Sequence, residues 1–326
     1  MPLVENCLRG LTAVMVFSLN LFPPLLLQAA TTANSASFSQ TELVARYPAI
    51  AAASAVLLGL GFACDIYLFL LLWRRVHPSP TEAVEPMLRV AVKPWTMQDL
   101  AFVTGAVILA FALANSLMSI GLKLAHVNDE RSTPWFLTLE MLLSMGCLLA
   151  MRAFFQLRNI DWRQAVGFPC GSPGRALASG AILFLAVLPP LAGVSVTYEK
   201  LCHLAGVEDT PQSVVDLLIT SDSETVVALI VTFAVAVAPV FEEFFFRGFA
   251  YPALKQRWGC WRALTVVSAA FAFAHWHIPS IGPLFFLALG LGLAYEWTGS
   301  LLTPITMHAL FNAMNVVLLL YVRAHS

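Results

Sequence analysis

The sequence predicts an all-α fold, a polytopic transmembrane bundle of about eight to nine spans. Three observations carry this. Of the 326 residues, 59% are hydrophobic and only 11% are charged, against about 25% charged in an ordinary soluble domain. The mean hydropathy is +0.78. The apolar residues also fall into runs near the roughly 20 residues that a helix needs to cross a bilayer.

In order, the runs cover 8–30, 48–73, 100–124, 134–156, 176–198, 225–250, 263–281, 283–298 and 301–322. The first contains Pro23-Pro24 and ends Leu27-Gln28-Ala29-Ala30 before a Thr/Ser/Asn-rich stretch. A signal peptide with a small-residue cleavage site would also look like this. Its apolar part is long for a signal peptide, so a retained helix is the reading adopted. The eighth run is short and holds Gly290, Gly292 and Glu296, which makes it the weakest span. Between runs, 74–99 reads as an irregular Pro-punctuated connection, and 199–224 holds a short amphipathic segment around Val214–Ile219. No fixed-period repeat appears, and no polar stretch is long enough to bury a soluble core. Residues 225–322 form a motif-bearing core, and 1–198 form the N-terminal, variable part of the same membrane domain.

Loop charge orients the bundle, because short loops rich in Lys and Arg stay cytoplasmic. Arg74, Arg75, Arg89 and Lys93 share one connection, Arg158, Arg163 and Arg175 a second, and Lys255, Arg257 and Arg262 a third. The intervening segment 199–224 is acidic, with Glu199, Glu208, Asp209, Asp216, Asp222 and Glu224. The N-terminus is therefore expected in the cytoplasm, with residues 242–247 toward the cytoplasmic half. A net charge of −1 gives no attraction to nucleic acid. The six cysteines are scattered without a Cys-x-x-Cys pair, so neither a disulfide framework nor a zinc ribbon is expected.

Chemistry concentrates in the last third. In Pro239-Val240-Phe241-Glu242-Glu243-Phe244-Phe245-Phe246-Arg247-Gly248 two carboxylates lie within an apolar helix, each costing about 2.5 kcal/mol or more near the bilayer centre. Glu243 and Arg247 are one turn apart and can pair, whereas Glu242 lies about 100° round the helix and is left for other work. The plain alternative is a buried ion pair or a helix end near the interface. Phe271-Ala272-Phe273-Ala274-His275 puts a ring and an imidazole one turn apart. Pro304-Ile305-Thr306-Met307-His308-Ala309-Leu310-Phe311-Asn312 does the same for an imidazole and a carboxamide. Each pair alone is compatible with interhelical hydrogen bonding worth about 1 kcal/mol. Together they place six polar groups at helical spacing in otherwise apolar segments, and such groups must face the bundle interior. A carboxylate can deprotonate water, an imidazole can position it, and an imidazole with a carboxamide can donate to an oxyanion.

The remaining candidates have structural readings. Asp65 and Glu140 fit helix–helix hydrogen bonding, His277 beside Pro279 a structural role, and Glu296 beside Trp297 an interfacial position.

The order E-E-x-x-x-R, F-x-x-x-H, H-x-x-x-N, with the glycine-rich 289–301 before the last motif, resembles the CPBP family. These are CAAX proteases and bacteriocin-processing enzymes, also called the Abi family. The resemblance covers about 225–322. It implies an intramembrane endopeptidase acting on a membrane-associated, possibly lipid-bearing, peptide or protein within the lipid bilayer. Glu242 matches the glutamate that activates water, His275 its helper, His308 and Asn312 the oxyanion pair, and Glu243 with Arg247 the supporting pair. Such enzymes were long called metalloproteases. No His-Glu-x-x-His is present, so the expectation is no required cofactor. The zinc alternative uses Glu242, His275 and His308 as ligands. A non-catalytic immunity or scaffold protein and an ion-coupled transporter are competing classes, and no inverted repeat supports the latter.

Overall fold

The computed structural model describes residues 46–76, 90–91, 93–127, 129–167, 172–207 and 212–325. The run at 8–30 and the signal-peptide alternative lie outside them. Ten helices follow in order: α1 (Pro48–Val76), α2 (Met97–Leu124), α3 (Asp129–Leu157), α4 (Trp162–Ala165), α5 (Pro173–Leu204), α6 (Ser213–Thr220), α7 (Glu224–Trp258), α8 (Cys260–Phe273), α9 (Ile278–Thr298) and α10 (Leu302–His325). No strand occurs among the described residues. Seven of these helices, all but α4, α6 and α8, are long and apolar enough to cross a membrane. Their outward faces carry bare large apolar side chains such as Phe102, Leu124 and Leu149, which water would not tolerate and lipid does. The chain is a multi-pass integral membrane protein.

The sequence placed a helix break between 281 and 283. It falls instead at Ala274–His277, and α8 has 14 residues, about 21 Å of helix against a hydrocarbon core of about 30 Å. Pro279 is the physical reason: inside a continuous helix over 263–281 it would lack its hydrogen bond and clash with the carbonyl of residue 275. As the second residue of a new helix it meets neither problem. Trp276 takes a left-handed backbone (φ 50°) and His277 is extended, turning the chain into α9. The span expected to be weakest, 283–298, thus belongs to a complete 21-residue helix. The short amphipathic segment in 199–224 is present as α6.

Helix α5 occupies the centre, packed on α1, α9 and α10. Glycines permit two of these approaches. A Cβ at Gly180 would lie 2.6 Å from Cβ of Thr306 on α10, and one at Gly61 would lie 2.5 Å from the Leu185 carbonyl oxygen, so only glycine fits. On the outer pair α2 and α3, Asn115 Nδ2 donates to Glu140 Oε1 at 2.7 Å, the interhelical bond expected of Glu140.

The basic segments gather at one end of the bundle. Lys93 Nζ donates to the Gln164 carbonyl (3.4 Å) and Lys255 Nζ to the Val90 carbonyl (2.6 Å), tying together the connections before α2 and before α5 and the last turns of α7. Glu296, near the end of α9, faces the bundle interior. It is 1% exposed and accepts from Tyr251 Oη, Lys255 Nζ and the Val90 backbone N–H. A buried carboxylate needs such donors, and residues so far apart in sequence meet only through the fold. Beneath this network lies a sealed aromatic cluster in which Trp95 stacks on Phe249 (5.6 Å) and both meet Phe155. Trp95 Nε1 donates to the Phe249 carbonyl at 2.9 Å.

Candidate active site

Helix α7 carries the paired carboxylates and is not a plain α-helix. Phe233–Val237 and Phe244–Ala250 are π-helical and flank the α-helical turn Ala238–Glu243. Such irregularities inside long helices are frequent at functional sites, since they rotate the following side chains and release carbonyls from the regular ladder. The helix runs on to Trp258, beyond the expected end at 250. Glu242 consequently lies near its midpoint, about 24 Å along the axis from Trp258, not at its basic end.

The two glutamates divide as their spacing predicts. Glu243 is fully buried, and its Oε1 accepts from Arg247 Nη1 at 2.8 Å. Arg247 is 1% exposed and also donates through Nη2 to the Ala288 carbonyl on α9 (2.9 Å). Glu242 retains a partly exposed side chain, and among the described residues its Oε2 has no hydrogen-bond partner. His308 Nε2 lies 3.9 Å from that oxygen, beyond direct bonding and within reach of a bridging water.

His308 is fixed from behind. Its Nδ1 is 2.9 Å from Glu243 Oε1. An ionised carboxylate only accepts, so Nδ1 carries the hydrogen and Nε2 is the nitrogen turned toward Glu242. His275 follows the same logic one turn after Phe271. It sits just past the end of α8, with Nδ1 2.8 Å from the Phe271 carbonyl. A carbonyl also only accepts, so Nδ1 donates and Nε2 holds the lone pair in the neutral ring. Asn312 donates through Nδ2 to the Ala234 carbonyl at 2.8 Å, in the first π segment, and the second amide hydrogen is left for another acceptor.

Phe271 joins these groups. Its ring is fully buried, 4.9 Å from the His275 ring, 5.7 Å from the His308 ring and 4.8 Å from the Arg247 guanidinium. The sequence marked it as a neighbour of His275. That it also spaces Arg247 and His308 depends on three helices meeting.

Glu242, His275 and Asn312 line one cavity of about 390 Å³, with mostly apolar walls from α5, α6, α7, α9 and α10. His308, 4% exposed, stands behind them, and Glu243 and Arg247 lie deeper still. Four polar residues of this cavity, Ser195, Gln212, Ser280 and Asn315, are not marked by the sequence. Gln212 Nε2 donates to Ser280 Oγ (2.8 Å), Ser280 Oγ meets His277 Nδ1 (2.7 Å), and Ser195 lies on α5. Nothing local marks Gln212 or Ser195, because the partner segments are remote in sequence. His277 has the structural bonding expected of it.

A zinc held by Glu242, His275 and His308 is not matched by the side chains as placed. Among the described residues no three His, Cys, Asp or Glu side chains gather as a metal-ligand set, although the Nδ1 contacts of His275 and His308 leave Nε2 of each ring open. No step is therefore routed through a metal.

Fold and site define a class: a multi-pass helical membrane protein with a buried carboxylate–guanidinium–imidazole cluster behind an apolar cavity. Residues 224–314 match the model of the Rce1-like family, described as type II CAAX prenyl endopeptidase Rce1-like. That match agrees with the CAAX protease resemblance read from the motifs, and it takes in every motif residue from Glu242 to Asn312. Among curated proteins and among solved structures, none matches this chain.

Proposed function

We propose that the protein is an intramembrane endopeptidase that cleaves a membrane-associated peptide or protein with water activated by Glu242. One observation supports this above the others. Of two adjacent glutamates, Glu243 lies behind the cavity with its Oε1 engaged by Arg247 and His308, while Glu242 lines the cavity and is approached by no charged partner closer than His308 Nε2 at 3.9 Å. A fully neutralised structural pair has no need of the second carboxylate, and a hydrolase does.

In the proposed reaction Glu242 takes a proton from water as the water oxygen attacks the peptide carbonyl carbon. His275 Nε2 accepts the other water hydrogen and orients the attack. The carbonyl π electrons move to oxygen, and the free N–H of Asn312 donates to the resulting oxyanion. His308 joins as a second donor only with hydrogen on Nε2, the imidazolium form, for which Glu243 is the counter-charge. Two carboxylates and one guanidinium leave the cluster one negative charge, which that imidazolium balances. The C–N bond then breaks, and the proton held by Glu242 passes to the leaving amine. Water is the only co-reactant.

The test compares the termini of membrane peptides, by mass spectrometry, in cells carrying the intact chain and in cells carrying Glu242→Gln. The reading requires termini that vanish with the variant while its thermal unfolding in detergent is unchanged. A non-enzymatic scaffold would instead keep its biological effect in Glu242→Gln.

A further inference from the structure

The cavity that Glu242 faces has a direction. Its walls come from residues 188–195 of α5, 212–218 at and within α6, 230–242 of α7, 275–284 at the start of α9, and 311–319 of α10. Helices α5 and α10 both begin at the basic end, where Thr303 Oγ1 donates to the Ala176 carbonyl (3.4 Å), and the cavity uses only their later turns. It extends from Glu242 away from the basic loops and toward α6, itself tied to the rest by Gln212–Ser280 and by Arg323 Nη1 donating to the Leu218 carbonyl (2.7 Å). On the other side of Glu242 the path is filled by Phe244, Phe249, Phe155 and Trp95, each under 9% exposed, and then by the Glu296–Lys255–Tyr251 network. Side chains packed to interior density leave no route for a peptide.

We infer that the site is served from the face opposite the basic loops, which the positive-inside rule makes the non-cytoplasmic face. The substrate is an exported or membrane-inserted peptide with apolar residues beside the scissile bond, rather than a chain end presented from the cytoplasm. Apolar side chains fit walls such as Leu188, Leu191, Val215, Leu218 and Phe311. Loop charge alone had put the site toward the cytoplasmic half. The sealed aromatic cluster and the direction of the cavity reverse its accessibility. The substrate half of the inference rests on the protease reading, and the direction of access does not.

Two measurements test it separately. Val214 lies partly exposed on the cavity wall and Gln256 is exposed at the basic end. Val214→Cys and Gln256→Cys proteins in intact cells are treated with a membrane-impermeant maleimide, and the modified peptides are read by mass spectrometry. Position 214 is expected to react in intact cells and position 256 only after permeabilisation. The reverse pattern overturns the direction of access whatever the enzyme does. In the second measurement, termini lost in Glu242→Gln cells are expected in segments exposed to the non-cytoplasmic face or within the membrane. Termini confined to cytoplasmic segments, or no change at all, overturn the substrate class.

Discussion

His308 and Glu243 meet through Nδ1 and Oε1 at 2.9 Å, and this contact couples the last helix to the helix that carries both carboxylates. The same oxygen takes a hydrogen bond from Arg247. Glu243 thus holds a cation and an imidazole at once, and the orientation of His308 toward Glu242 follows from it.

Breaking this joint is expected to cost stability first. Glu243→Gln leaves the Arg247 guanidinium buried without its charge partner, a loss of about 3–5 kcal/mol for a pair this enclosed. The purified variant in detergent should unfold well below the wild type, whereas Glu242→Gln should unfold with it. Equal stability of Glu243→Gln and wild type would refute the buried pair as a structural element.

Phe271 offers a way to separate packing from chemistry. Phe271→Ala removes a fully buried ring at about 3–5 kcal/mol and should yield little folded protein. Phe271→Leu fills most of the space but no longer spaces His275, His308 and Arg247. Cleavage of a reporter peptide should then fall at least tenfold in kcat with KM near its original value. A KM effect alone would mean that the ring binds substrate instead.

Close approach of α5 to α10 gives a third expectation. Gly180→Val drives a side chain into Thr306 and the Thr303 carbonyl, pushing away the helix that bears His308 and Asn312. Thermal stability and cleavage should fall together. Gly105→Val on α2, where nothing lies within 4 Å, should change neither.

Glu140 is expected to be silent in catalysis. Its bond to Asn115 joins α2 to α3 outside the cavity, and intramembrane bonds of this kind are worth about 0.6–2 kcal/mol. Glu140→Ala should lower the unfolding temperature slightly and leave reporter cleavage intact; loss of cleavage would place α3 in the mechanism.

Cleavage is expected to survive a strong chelator, because the proposed mechanism uses water, Glu242 and His275 without a metal. Inactivation by the chelator, restored by added zinc, would return Glu242, His275 and His308 to the role of ligands.

Much of the site is legible in sequence because helices make it so. The four-residue spacing of Glu243 and Arg247, of Phe271 and His275, and of His308 and Asn312 puts each pair on one face before any fold is known. Spacing cannot tell which partner a group chooses across helices. His308 faces Asn312 along its own helix yet bonds to Glu243, and Asn312 bonds to a carbonyl that lies in the π segment of α7. Nothing near Glu296 in the sequence names its donors, which come from as far away as Val90.

By itself, then, the sequence determined that this is a helical membrane protein, and which face of α7 carries a spare carboxylate. Both follow from local quantities, run length and helical period. The tertiary structure decided what surrounds that carboxylate: which groups neutralise its neighbour, where Pro279 restarts the chain, and which side of Glu242 is closed by aromatic rings and which is a cavity. These depend on packing between segments more than 100 residues apart, such as Trp95 with Phe249, and no periodicity within one segment encodes such contacts.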